Sequence, residues 1–346
     1  LLMSVIGSNV LAGASGAGGG AYSGNIVIGH YDSPFIAAYE WDSGFGTKYS
    51  NPSSLPPAGG QIAFSSDGNH IAMAHNGSPY ISAYPWSSSG FGSKHSNPSS
   101  LPPSSGYGVA FHPDSNVIAV AHGGSPFVTA YTWSASGFGS KYSNPGTTPS
   151  HSAYRVAFSP DGSDLAVAHS NSPFVTAYPW SSGFGSKYTN PSTLPANNAR
   201  AIAFSPDGND IFVGHFTTPF VTAYPWNSGF GTKYSNPSTL LTGTGWGVAF
   251  NPDGDTVAIA HDGTPYISVY SWSSGFGARY SNPSTLPTNV PQGIAFTPDG
   301  KDLAITHYGS PYVSVYPWDS GFGTKYSDPS PALPGAGFGV AFSPAD

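Results

Sequence analysis

Through most of the chain, short apolar runs alternate with clusters of Ser, Pro, Asp, Asn and Gly, the pattern of β-strands separated by tight turns. RVAF (155–158) leads into SPDG, DLAVAH (164–169) into NSP, FVTAY (174–178) into PWSSGFG, and SKYTNP closes the set. This predicts four strands, a to d. Alternation in strand c puts Phe174, Thr176 and Tyr178 on one face and Val175 and Ala177 on the other, so both faces meet apolar neighbours.

The pattern recurs. His30, His75, His122, His169, His215, His261 and His307 are each followed eleven residues later by Trp41, Trp86, Trp133, Trp180, Trp226, Trp272 and Trp318. Seven units of 45 to 47 residues with four strands each have the period of a propeller blade rather than of a helical solenoid. The first unit opens on a strand b, NIVIGH (25–30), with no strand a before it, and the chain ends on a strand a, FGVAFSPAD (338–346), with no strand b after it. Laying Val340 to Phe342 beside Ile26 to His30 closes the ring and removes two sheet edges. The expected fold is therefore all-β: a seven-bladed β-propeller over residues 24–346, preceded by an apolar and Gly-rich arm at 1–23.

Composition narrows the function. With 45 Gly, 34 Pro, 21 Tyr, 21 Phe and 8% charged residues, the chain is poor in helix formers. A net charge of −7 from scattered acidic groups offers no basic stripe, so no nucleic-acid partner is expected. The absence of cysteine excludes disulfides and thiolate sites. The apolar start is too short for a membrane span.

The SPDG turns, the b–c hairpin and the exchange of a terminal strand resemble the WD40 and YVTN/lactonase-like superfamily of seven-bladed propellers over residues 24–346. A literal Trp-Asp pair occurs only at Trp41-Asp42 and Trp318-Asp319, and His ends strand b rather than preceding strand a. The resemblance thus implies architecture and not the WD40 hydrogen-bond tetrad.

A ring of seven His invites a metal, but equivalent positions on adjacent blades should lie roughly 10 Å apart with strands ~4.8 Å apart, too far to share an ion. Each imidazole is expected to bond a backbone group and fix the b–c turn. The Trp, together with the Phe of each GFG, are expected to fill the gaps between blades. No metal or cofactor is called for.

If repetition encodes the scaffold, a site belongs where equivalent positions disagree. Two residues before the Val or Ile of each strand a stand Gly60, Tyr107, Tyr154, Arg200, Trp246, Gln292 and Phe338, and Arg155 breaks the next position. These side chains should ring the mouth of the central channel. Tyr107, Tyr154, Trp246 and Phe338 are expected to stack on a ligand, with Arg155 and Arg200 giving directed hydrogen bonds and Gln292 converging on the same mouth.

Acidic groups outside turns are few (Glu40, Asp164, Asp210, Asp255, Asp302), several fall on the wrong face for that mouth, and the local spacings assemble no Ser-His-Asp or metal cluster, so no enzyme is expected. The arm's style and the Ser, Asn, Gly and Tyr-rich texture resemble structural proteins of aquatic tailed bacteriophages. That resemblance implies a virion-surface or extracellular adhesion module, a tail fibre, tip or head decoration. It would join other virion subunits through residues 1–20 and take a glycan or surface protein as ligand. The alternative is a secreted or periplasmic lectin or protein-interaction scaffold.

Overall fold

The computed structural model describes residues 3–5, 10–12 and 22–345. Met3–Val5 and Val10–Ala12 pair as a short antiparallel ladder. The assignment of residues 1–20 as an assembly anchor lies largely outside the described residues. Among those described, no helix is long and apolar enough to cross a membrane.

Seven antiparallel sheets form the ring, each running a, b, c from the axis outward. Strand a of the first blade is the chain's last strand, Gly337–Phe342, which pairs with Ser23–His30 in the register Phe342↔Ile26 and Val340↔Ile28. The closure is reinforced beyond the ladder. The Tyr22 hydroxyl donates to the Ser343 carbonyl at 2.8 Å, and Trp41 Nε1 donates to Asp302 of the seventh blade at 3.0 Å.

Strand d departs from the expected four-strand blade. It runs over several residues in blade one (Phe45–Lys48), blade three (Gly137–Lys141) and blade six (Phe276–Arg279). In blade two it shrinks to Gly90–Phe91, and in blades four, five and seven only the isolated bridges Trp180↔Phe184, Trp226↔Phe230 and Trp318↔Phe322 remain. The cause is one residue. The full strands face Glu40, Thr132 or Ser271, whereas the reduced ones face Pro85, Pro179, Pro225 or Pro317. The Pro179 carbonyl accepts from Gly185 N at 2.8 Å, so an N–H at this position would also face strand d, and proline has none.

Strand c begins one residue later than expected. Phe174 is not its first member but holds φ 69° in the turn, as do Phe35, Tyr80, Phe127, Phe220, Tyr266 and Tyr312 in theirs.

The Trp of each blade is buried and reaches the preceding blade. Trp226 meets Tyr188 edge-on at 5.4 Å and donates to Asp164 at 2.8 Å; Trp272 meets Tyr234 at 5.2 Å and donates to Asp210 at 2.8 Å. The same carboxylates accept from Tyr188 and Tyr234, both at 2.7 Å. The Phe of GFG packs on the Trp of its own blade, at 5.0 Å for Phe230 and Trp226. The blade joints, which the Trp and Phe were expected to fill, therefore also carry a buried carboxylate where strand b begins with Asp164, Asp210 or Asp302. Burial raises the Asp210 and Asp302 carboxyls above the ordinary value. Blade two replaces the Asp and Tyr by His70 and His95, whose ring nitrogens lie 3.2 Å apart beside Trp133.

Candidate functional site

The seven repeated His are fully buried at the end of strand b. In six of them Nε2 lies 2.8 to 3.0 Å from the Ser or Thr hydroxyl seven residues on: Ser82, Thr129, Thr176, Thr222, Ser268 and Ser314. The second ring nitrogen meets the b–c turn in several blades, as in His75 Nδ1 to the Gly77 carbonyl at 2.8 Å. His30 is the exception. Residue 37 is Ala, and neither of its ring nitrogens has a partner in bonding geometry, although the Asp32 carbonyl lies near enough to favour its protonated form. Burial holds all seven well below the ordinary imidazole value, to about 4. Among the described residues, no group of three or more His, Cys, Asp or Glu side chains is placed to hold a metal.

The channel mouth is built by backbone irregularity. In six blades the a–b ladder skips one residue: Ala153 pairs with His169 and Arg155 with Ala168, leaving Tyr154 out. The skipped residues are Tyr107, Tyr154, Arg200, Trp246, Gln292 and Phe338, while blade two runs in register through Gly60 and Gln61. A β-bulge re-aims a side chain, here away from the ladder and into the channel. A cavity of about 190 Å³ results, and Tyr107, Tyr154, Arg155, Arg200, Trp246, Gln292 and Phe338 all line it.

The two arginines differ in use. Arg200 sits among three aromatic rings, its guanidinium carbon 3.5 Å from the centroid of Tyr154, 4.4 Å from Phe216 and 5.4 Å from Trp246. Its Nε is buried without a hydrogen-bond partner. Arg155 does not hold its donors ready for a ligand as expected. Its NH1 bonds the carbonyls of Tyr107 at 3.0 Å and Tyr154 at 2.8 Å, and its NH2 reaches the Gln292 carbonyl at 3.5 Å, so it spans the channel as a floor. Burial, and then the charge of Arg200, lower Arg155 to about 10, and burial lowers Arg200. Both remain cationic at neutral pH, and no carboxylate lines the cavity. Tyr154 is also occupied, with Tyr107 on its other side at 5.4 Å.

Sequence reasoning missed a second ring of variable residues, those immediately after each His: Tyr31, Asn76, Gly123, Ser170, Phe216, Asp262 and Tyr308. The backbone N–H of most of them bonds a carbonyl just ahead of strand a, as in Phe216 to Asn198 and Tyr308 to Val290, which brings them to the mouth. The disagreement among blades that identified the first ring was equally visible here. Asp262 matters most. It accepts from Thr244 N at 2.6 Å and from Trp246 Nε1 at 3.4 Å, which sets a carboxylate against the lining.

No protein-family model matches the chain, and no curated protein matches its sequence. Solved structures share the fold. The periplasmic gluconolactonase PpgL of Pseudomonas aeruginosa superposes with a TM-score of 0.74 at 16% identity, over 94% of this chain and 100% of that one. A Bacteroides fragilis protein provisionally named a 6-phosphogluconolactonase does so with a TM-score of 0.69 at 13% identity, over 92% and 98%. The β-propeller domain of Cps50 (Swd1) from Myceliophteria thermophila gives 0.55 at 11%, over 78% and 86%. The chain is a seven-bladed β-propeller.

These likenesses correct the expected function. The expectation of a non-enzymatic virion-surface or adhesion module, and its lectin or scaffold alternative, is overturned because solved structures that share the fold over nearly the whole chain carry lactonase names. Asp262, which the sequence reading did not weigh, stands against Trp246 at the edge of the mouth, although no carboxylate lines the cavity itself.

Proposed function

We propose that the protein is a hydrolase that opens a sugar lactone at the channel mouth, and that it works outside the cytoplasm, as the name of the Pseudomonas protein states for that enzyme. The observation that carries this reading is the Arg155 and Arg200 pair in one cavity, with the Asp262 carboxylate held against Trp246 of its lining. Such a site favours oxygen that gains negative charge, and attack on a lactone carbonyl creates that oxygen. The names of two proteins of the same fold support the same class of chemistry.

In this reading Asp262 takes a proton from water as the water oxygen bonds to the lactone carbonyl carbon. The carbonyl electron pair moves onto its oxygen, which faces the Arg200 guanidinium. Collapse of the tetrahedral intermediate re-forms the carbonyl and breaks the bond from that carbon to the ring oxygen, which takes the proton back from Asp262. The products are a free hydroxyl and a carboxylic acid, which loses its proton to solvent. Arg200 is packed against Tyr154 and Phe216, so its position is set before substrate arrives. Arg155 stiffens the floor and adds positive potential.

The test is acid release from δ-gluconolactone above the spontaneous rate. Arg200→Gln and Asp262→Asn are each expected to lower kcat by about 10²-fold or more, with the thermal midpoint preserved. A rate for the unaltered protein equal to the spontaneous one would remove the reading.

A further inference from the structure

We propose that the lactone this site takes carries a second, uncharged sugar ring that stacks on an aromatic rim formed by Tyr31, Tyr308 and Phe338. This rests on the hydrolase reading above and names its substrate class: the lactone of an oxidised disaccharide.

The cavity sets the first constraint. At about 190 Å³ it lies below the ~300 to 1,000 Å³ usual for drug-sized ligands, which gives room for one six-membered ring and not for two. Whatever else the substrate carries must leave over the lip. The lip is uneven around the ring. Blades four to six fill it with the cluster of Tyr154, Arg200, Phe216 and Trp246. At blades seven and one, Tyr308 and Tyr31 flank Phe338, with ring centroids 6.0 and 6.1 Å from it and planes inclined by 89° and 59°.

These two tyrosines are the exposed large aromatics among the described residues, at 64% for Tyr31 and 44% for Tyr308. They are not loose. Tyr31 N bonds the Ala336 carbonyl at 2.8 Å and Tyr308 N bonds the Val290 carbonyl at 3.0 Å, so both rings project from backbone tied to the channel wall. Phe338 belongs to the rim and to the cavity lining at once, which makes the path continuous. Exposed aromatic faces on rigid backbone suit the C–H faces of a sugar ring, and the phenol oxygens suit its hydroxyls. The cations sit at the floor and in that cluster rather than at this rim, and the charge beside Tyr31 is the exposed Asp32. A phosphoryl group is therefore disfavoured where a neutral sugar fits.

The experiment compares kcat/KM for δ-gluconolactone and for cellobionolactone, the lactone of oxidised cellobiose. In the full chain the disaccharide lactone is expected to be preferred about tenfold, and Tyr31→Ala with Tyr308→Ala to bring that ratio to about one. Both side chains are exposed, so the thermal midpoint should hold and confirm folding. A ratio near one in the unaltered protein, or a preference that survives the double variant, overturns the subsite and leaves the hydrolase reading standing; turnover of neither lactone overturns both. A concentration-dependent dimer abolished by the double variant assigns the rings to a second copy of the chain and likewise overturns the subsite.

Discussion

The repeated imidazole shows how one side chain is used seven times in one place and left with neither nitrogen bonded once, at His30. A buried ring nitrogen without a partner costs about 1 to 3 kcal/mol, and six blades avoid that at Nε2 with a Ser or Thr at the seventh residue after His, although Nδ1 of His122 and of His215 stays unpartnered. Thr176→Val removes the partner of His169 and is expected to cost about 1 to 3 kcal/mol, whereas Ala37→Ser offers His30 what it lacks and should gain up to about 1 kcal/mol. Chemical denaturation of the two variants, in opposite directions, checks the pair. The same burial fixes the response to pH. With the seven imidazoles held to about 4 in the fold and near 6.5 in the unfolded chain, the unfolded state binds more protons between those values. Stability is therefore complete above about pH 6.5 and falls as the pH drops toward 4. Asp210 and Asp302, raised by burial, act in the opposite sense but are two against seven. Thermal midpoints should decline steadily from pH 7 to 4.5; a flat profile would contradict the buried neutral rings.

At the level of the strand, single residues decide what forms. Proline in the YPW of strand c strips strand d back to a bridge or a two-residue remnant, while Glu40, Thr132 and Ser271 keep it whole. Thr132→Pro should shorten Gly137–Lys141 to the Trp133↔Phe138 bridge. The cost should be about 1 kcal/mol for the lost hydrogen bond, read as faster amide exchange across residues 137 to 141. This difference was legible in the sequence, because YEW, YTW and YSW stand beside four copies of YPW, yet a uniform four-strand reading passed over it. The bulges were half legible. The variable position ahead of strand a stood out, but that it is skipped by the ladder depends on two-against-one pairing, which only coordinates reveal. Asp262 and Phe216 escaped notice because each directly follows an unvarying His and reads as part of a repeated turn. Their role arises only when the backbone bond to the neighbouring carbonyl carries them to the mouth.

The whole ring depends on one strand being lent from the far end of the chain. Gly337–Phe342 supplies the innermost strand of the first blade, covers the apolar face of Ile26 and Ile28, and carries Phe338 into the cavity. This was the most legible feature of all, because a unit lacking strand a and a lone strand a complete each other. Removing residues 337 to 346 would expose the inner edge of Ser23–His30 and uncover Trp41, whose ring packs on Phe342 at 5.5 Å. That loss should abolish the cooperative thermal transition and promote aggregation. Truncation alone does not distinguish the missing strand from a generally damaged chain. A circular permutant does: with Ser343 and Tyr22 already in hydrogen-bond contact at 2.8 Å, a short linker can join the two ends, and the chain can be reopened between the exposed Ser192 and Thr193, in the loop that follows blade four. The permutant keeps every blade and makes the first one continuous, so it should melt cooperatively at a midpoint near that of the native chain. If both the truncated and the permuted chains fail to fold, closure by the borrowed strand is not what holds the ring, and the blade joints at Asp164, Asp210 and Asp302 must carry that burden instead.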